Sequence, residues 1–405
     1  MEGDGMRVLF NRSSTLGVLT GVGHHTAQLL RCLRRQADDV HIDVYPTGGI
    51  WWLRSLGARV FRELPGNAEA AEAKPTEAAA ASLPRRVLQT MRGWGRNVVE
   101  RRQRSIFFGQ PYDLYHEPNF IPQPSDIPTL TSVHDLSALL HPQWHPAERV
   151  AKFAREFPLA LSRSVHFLAV SEFTRQELIR ACGVPAERVT CVHNGVRTEC
   201  RPLPAGVVAR RLRRLGLPGQ YLLCVGTIEP RKNVLRLLQA YCALPAALRE
   251  RCPLLLAGPW GWSAADIAEY YHARASACGV RHLGYLNDAD LTILYNGARA
   301  LVYPSLYEGF GLPVAEMLAC GGAVIASTAD ALREVAGDCA DYVAPEDTDG
   351  WRAALARVIG DDDWREQLRQ RTMEQGRKFT WERCAAETLQ LYRRLAGGAI
   401  DALAA

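Results

Sequence analysis

The chain has 405 residues, 47% of them apolar, and its 48 Lys and Arg against 43 Asp and Glu leave a net charge of +5. That is apolar material for two cores, which excludes a small module or a disordered chain, and the weak basic balance alone gives no case for a nucleic-acid partner. The eleven cysteines form no CxxC pair, so they read as reduced, buried small residues, neither a disulfide framework nor a metal knuckle. No apolar run reaches the length of a membrane span, and the start MEGDGMRVLF lacks a secretory pattern, so a cytoplasmic location is expected.

In chain order, strand-length apolar runs occur at RVLFN (from Arg7), VHIDVYP, YDLYHEP, PTLTSVHD, VHFLAV and RVTCVHN, with helices following Gly23 and opening at Ser171. The second half repeats the pattern with YLLCVGT, PLLLAGP, VRHLGYL, ALVYPSL, AVIAS and DYVAP. Apolar runs alternating with amphipathic helices predict an α/β protein with two doubly wound parallel sheets. Pro and Gly gather in RTECRPLPAG and GLPGQ, residues 197–219, which marks a boundary between domains at 1–200 and 201–379, followed by a C-terminal helical segment, 380–405.

One stretch departs from this order. Residues 63–84 have no apolar periodicity and read as a mobile insertion, whereas 85–104 carry seven arginines against one acid with apolar residues on one side of a helix. That basic helix either packs on the first sheet or touches an anionic membrane surface as a peripheral contact.

The densest chemistry lies in YPSLYEGFGLPVAEMLACG, where Glu308 and Glu316 stand eight positions apart. Gly309 and Gly311 permit backbone approach to a ligand, Phe310 lies between them, and Pro313 suits the first turn of a helix beginning near Leu312. Free N–H groups at such a start attract an anion such as a diphosphate. Glu316, expected in the first turn, can accept hydrogen bonds from two adjacent ribose hydroxyls, and Glu308 can reach a sugar. In VGTIEPRKN a strand ends in a turn bearing Arg231 and Lys232, cations suited to a departing nucleotide diphosphate. In the first half, Gly21 and Gly23 follow the first strand and would face the phosphates of such a ligand. His134, with Asp135 beside it at another strand end, is the candidate for contact at the reacting carbon. Two Asp-x-Asp pairs, Asp288 with Asp290 and Asp361 with Asp363, precede helical patterns and read as helix caps and first-turn acids, with no metal site expected.

GTIEPRKN and EGFGLPVAE, with HDLSALLHPQWHP, VSEFTRQELI, VHNGV, LGYLNDADLTILYNGA and REVAGDCADYVAPED in matching order, resemble glycosyltransferase family 4. The resemblance implies a GT-B fold of two Rossmann-like domains facing a central cleft, with the C-terminal helix crossing back to the N-terminal domain. It implies retention of configuration and no metal or other cofactor. By the same resemblance Arg231 and Lys232 bind the diphosphate, Glu308 and the amides of Gly309 to Gly311 hold the donor sugar, Glu316 holds the ribose, and residues near Tyr285 and Leu286 line the base pocket. Similarity to bacterial mannosyl- and rhamnosyltransferases of polysaccharide assembly makes GDP-mannose the expected donor, ahead of dTDP-rhamnose and UDP-sugars, and a glycan or lipid-linked glycan the expected acceptor. Ala323 and Arg333 stand where prolines are common, which alters the loop beside the sugar. A nucleotide-sugar epimerase of the same fold is the rival enzyme. An NAD-linked oxidoreductase lacks its GxGxxG fingerprint here.

Overall fold

The computed structural model describes residues 5–16, 21–46, 106–108 and 111–399. The expected insertion at 63–84 and basic helix at 85–104 lie outside the described residues.

Each strand falls on one of the runs read from the sequence. The first six are β1 (Met6–Asn11), β2 (Val40–Tyr45), β3 (Leu114–Glu117), β4 (Thr129–Val133), β5 (Ser164–Ala169) and β6 (Val189–Cys191). The second six are β7 (Leu222–Val225), β8 (Leu254–Ala257), β9 (Val280–Gly284), β10 (Ala300–Tyr303), β11 (Val324–Ser327) and β12 (Ala340–Val343). The helices that bear on the site are α1 (Gly21–Gln36), α2 (Glu172–Cys182), α3 (Val234–Cys242), α4 (Asp288–Gly297), α5 (Leu312–Ala319), α6 (Asp330–Ala336) and α7 (Trp381–Arg394).

The strands form two six-stranded sheets, ordered β2-β1-β3-β4-β5-β6 and β12-β11-β10-β7-β8-β9. In the second, every pairing is parallel. Its four inner strands, β7, β8, β10 and β11, are buried along their whole length because the sheet is covered on both sides, while the edge strands β9 and β12 carry Arg281, His282 and Asp341. Alternate residues divide between two cores: Leu223, Val225, Leu255, Leu301 and Tyr303 face one, and Leu222, Cys224, Leu254, Ala300 and Val302 the other. The two sheets with their helices are two Rossmann-like domains.

By compactness the chain divides into the described residues of Met1–Thr131 with Arg163–Val165 and Leu389–Ala405, and a second unit of Ser132–Ser162 with His166–Thr388. The end of α7 belongs to the first unit, where Tyr392 Oη lies 2.5 Å from His116 Nδ1 and Arg393 pairs with Asp39 at 2.6 Å.

Strand order matters for function at one point in each sheet. The chain adds β8 and β9 on one side of β7, then crosses back to lay β10 on the other side. Loops leaving adjacent strands on opposite sides of such a reversal open a crevice at their carboxyl ends, where ligands of doubly wound sheets bind. In the first sheet the reversal falls between β1 and β3.

Candidate active site

At the β7/β10 reversal the two densest sequence motifs meet. After β7, Pro230–Lys232 makes a tight turn that ends at Asn233 with φ +54°, and the Asn233 side chain donates to the carbonyls of Pro304 and Pro345 at 3.1 and 2.7 Å. Leu306 N–H donates to the Arg231 carbonyl at 2.8 Å. These bonds tie the loop after β7 to the loop after β10.

Arg231 and Lys232 converge on one carboxylate. Arg231 Nη1 donates to Glu308 Oε2 at 2.9 Å and to the Tyr307 carbonyl at 3.0 Å, while Nη2 reaches Glu229 Oε1 at 2.9 Å. Lys232 Nζ donates to the other oxygen of Glu308 at 2.5 Å and to Tyr303 Oη at 2.8 Å. Burial alone would raise the Glu308 carboxyl, but Lys232 and Arg231 outweigh it and hold it at about 2. Burial opposes the charge on Arg231, and Glu308, Asp135 and Glu229 restore it, leaving its guanidinium above its ordinary value. Sequence reasoning gave Glu308 and the cations separate tasks. The structure joins them in one ion cluster, with Glu308 holding two positive side chains together against their repulsion. Each cation still has an N–H to spare, since an ammonium carries three donors and a guanidinium five.

The glycine loop is positioned by backbone. A Cβ on Gly309 would lie 1.6 Å from the His134 carbonyl oxygen, so only glycine fits. The Gly309 carbonyl accepts from Ser171 Oγ at 2.5 Å and Thr174 Oγ1 at 3.1 Å at the start of α2. Ser171 also caps that helix by accepting from Thr174 N–H at 3.0 Å, as its place in the sequence suggests. Gly311, with φ +101°, is the N-cap of α5. His134 stands just past β4, so its backbone lies against the glycine loop. Next to it, Asp135 accepts from Ser137 N–H and Oγ at 2.9 and 2.7 Å. Burial would raise the Asp135 carboxyl, but Arg231 and Ser137 together hold it below its ordinary value.

Glu316 corrects one expectation. It lies past the first turn, as the fifth residue of α5, because Gly311 takes the cap position and Leu312 opens the helix. Two side chains hold it instead: Arg197 Nε donates to Oε1 at 2.7 Å and Tyr295 Oη to Oε2 at 2.9 Å. Neither partner was singled out from sequence, because each becomes meaningful only through a tertiary contact. Tyr285 is 59% exposed on the loop after β9, and Leu286 is partly buried against the core.

Three of the four residues in the two Asp pairs have partners among the described residues. Asn287 caps α4 by accepting from Asp290 N–H, Asp288 pairs with Arg197 and Asp290 with Arg211. Asp361 caps its helix by accepting from Trp364 N–H. Among the described residues one set of metal-type donors does come together, Cys191, His193 and Glu334. Within the set His193 Nε2 lies 2.6 Å from Glu334 Oε1 and 3.8 Å from Cys191 Sγ, and the Glu334 oxygens also accept from the N–H groups of Glu172 and Phe173.

At the β1/β3 reversal, Gly21 and Gly23 lie in the first turn of α1, and the loop residues 17–20 lie outside the described residues. Asn11, at the end of β1, and Tyr115 donate to Glu117 Oε2 at 2.5 and 2.7 Å. Burial pushes the Glu117 carboxyl up to about 8 despite these donors.

Comparison with known proteins bears on the family and the fold. Residues 19–200 match the family model described as Glycosyltransferase Family 4, and residues 213–379 the model described as Glycosyl transferases group 1. The O-antigen chain mannosyltransferase B of Escherichia coli is 32% identical over 397 residues, 96% of this chain and 100% of that one. The chain belongs to glycosyltransferase family 4. The serotype-specific mannosyltransferase WbdA of Escherichia coli is 30% identical over 276 residues, 66% of this glycosyltransferase and 33% of WbdA. Among solved structures, Anabaena HepE in complex with UDP and glucose superposes with a TM-score of 0.66 at 18% identity, covering 95% of this chain and 99% of that one. WaaG, a glycosyltransferase involved in lipopolysaccharide biosynthesis, gives 0.60 at 15% identity, covering 98% and 99%. Those two likenesses speak for the fold, which is GT-B. No helix among the glycosyltransferase's described residues is long and apolar enough to cross a membrane.

Proposed function

We propose that this glycosyltransferase moves mannose from GDP-mannose, with retention of configuration and without a metal ion, to a hydroxyl of a glycan or lipid-linked acceptor in cell-surface polysaccharide synthesis. The observation that carries the donor site is the buried cluster of Arg231, Lys232 and Glu308 where the loops after β7 and β10 meet. The choice of mannose rests on the identity with mannosyltransferase B over 96% of the chain.

In this reading the unused N–H groups of Arg231 and Lys232 take the diphosphate and stabilise the charge that grows on it as the glycosidic bond breaks. Glu316, paired with Arg197, accepts from the ribose hydroxyls, and Tyr285 and Leu286 border the base. The loop from Gly309 to Gly311, with Glu308, holds the sugar, and His134 stands by the reacting carbon. Among the described residues, Glu308 and Asp135 at this site both have strong partners. Glu308 is doubly ion-paired and Asp135 is held by Ser137. This favours front-face attack, in which the departing phosphate oxygen assists removal of the acceptor proton.

The test is a thermal-shift panel of GDP, UDP, dTDP and ADP followed by turnover of the matching sugar nucleotides with EDTA present. A nucleotide at a hundred times its dissociation constant stabilises by about 2.7 kcal/mol. GDP is expected to raise the melting temperature most and GDP-mannose to be consumed in EDTA. A larger shift with UDP or dTDP would overturn the donor, and a strict Mg²⁺ or Mn²⁺ requirement the metal-free reading.

A further inference from the structure

Arg197 follows β6 and is 6% exposed. Its Nε donates to Glu316 Oε1 at 2.7 Å, and its Nη1 to Asp288 Oδ1 at 2.9 Å and to the Asp288 carbonyl at 3.3 Å. Its Nη2 is buried and has no hydrogen-bond partner. Burial opposes the charge on Arg197, and Glu316 more than restores it. A folded protein rarely leaves a charged donor buried and unpaired, and where it does a missing partner is the first explanation.

The neighbourhood says what that partner is. Glu316 keeps acceptor capacity on both oxygens after bonding Arg197 and Tyr295. A carboxylate, however, reads only the proton of a hydroxyl. The hydroxyl oxygen also has lone pairs to satisfy, and a guanidinium beside the carboxylate can do so. Asp288 opens α4 just after Tyr285 and Leu286, and it fixes the guanidinium plane by holding Nη1.

We propose that Arg197 is a specificity-determining residue of the nucleotide site: Glu316 accepts the proton of a ribose hydroxyl while Arg197 Nη2 donates to the same oxygen. The proposal rests on the nucleotide-sugar reading above and deepens it. The pair recognises one hydroxyl as donor and acceptor together, so the site selects a nucleotide carrying that ribose hydroxyl over the deoxy form that lacks it. Lysine cannot substitute, because an ammonium beside Glu316 keeps the charge but not the fork that reaches two carboxylates and the ligand at once.

The experiment measures affinity for the nucleoside diphosphate that stabilises the wild-type enzyme most, and for its 2′-deoxy and 3′-deoxy forms, using wild type, Arg197→Lys and Arg197→Gln. Wild type is expected to bind one deoxy form about ten- to a hundredfold more weakly than the parent, the loss set by one hydrogen bond to a charged group. Both variants are expected to bind the parent more weakly and to lose that discrimination. A merely structural Arg197 would lower the melting temperature and leave the ratio of affinities unchanged, and an unchanged ratio in either folded variant overturns the proposal. Wild type that binds the parent without discriminating overturns it too. Wild type that binds none of the nucleotides instead overturns the donor reading beneath it.

Discussion

Glu308 shows how much one side chain does at this site. Its two oxygens separate Arg231 from Lys232 at 2.9 and 2.5 Å, and a neutral amide in its place keeps one acceptor and turns an N–H₂ toward a cation. Glu308→Gln is therefore expected to lower kcat/KM about a hundredfold or more, the scale for losing a preorganised charge stabiliser. Steady-state kinetics at subsaturating donor read this directly. Gly309 is constrained by sterics alone: with the His134 carbonyl 1.6 Å from any Cβ, Gly309→Ala must push the glycine loop out of place. That variant is expected to lose most activity and to melt earlier, and one as stable and as active as wild type would contradict the contact. Arg197 marks the limit of reading residues from sequence. RTECRPLPAG reads as a linker, and an arginine in a linker reads as solvated, yet the structure buries it between Glu316 and Asp288.

At the scale of elements, α2 does more than pack. Its N-cap, Ser171, satisfies its own helix and also holds the Gly309 carbonyl, while Glu334 on α6 accepts the N–H groups of Glu172 and Phe173. The glycine loop is thus anchored to a helix start 138 residues earlier in the chain. Ser171→Ala is expected to cost about 1 kcal/mol of stability as a lost cap and to lower turnover as well. A stability loss with unchanged kcat would show that the bond to Gly309 is dispensable. The inner strands of the second sheet were legible because a sheet buried on both sides leaves continuous apolar runs, and the cap because Ser before an acidic first turn is a local signal. The bond from Ser171 to Gly309 was not, since nothing local records a partner so far along the chain.

For the whole molecule, two buried carboxyls set opposite pH limits. Glu117 is pushed up to about 8 by burial, above the roughly 4.3 of an unfolded chain. The native state then holds an extra proton between these values, so this contribution is full below about 4.3 and is lost as pH rises through 8. Glu308, held at about 2 by its cations over the opposing effect of burial, contributes above about 4.3 and loses its contribution as pH falls toward 2. Glu117→Gln is expected to flatten the decline in stability between pH 5 and 8, each shifted unit being worth about 1.4 kcal/mol. Denaturant midpoints across that range check it, and a variant declining as steeply as wild type would sink the assignment. The two units are expected to unfold in separable steps, so the acid and alkaline limbs should appear in different transitions. At this scale the sequence was most legible: alternating runs foretold both sheets, because periodicity reports which faces are buried. Periodicity does not report which strands become neighbours.

That neighbour relation has a consequence for how the protein is made. β7 and β10 lie side by side although 74 residues separate the end of one from the start of the other. While the chain emerges from the ribosome, β7 can pair with β8, but its other edge stays open until β10 has been synthesised. An open apolar edge is a template for wrong pairing, and for that interval Arg231 and Lys232 also lack the carboxylate that holds them together. Chains ended just before residue 300 should therefore aggregate, and chains carried through Glu308 should be the shortest in which the two cations have met their partner.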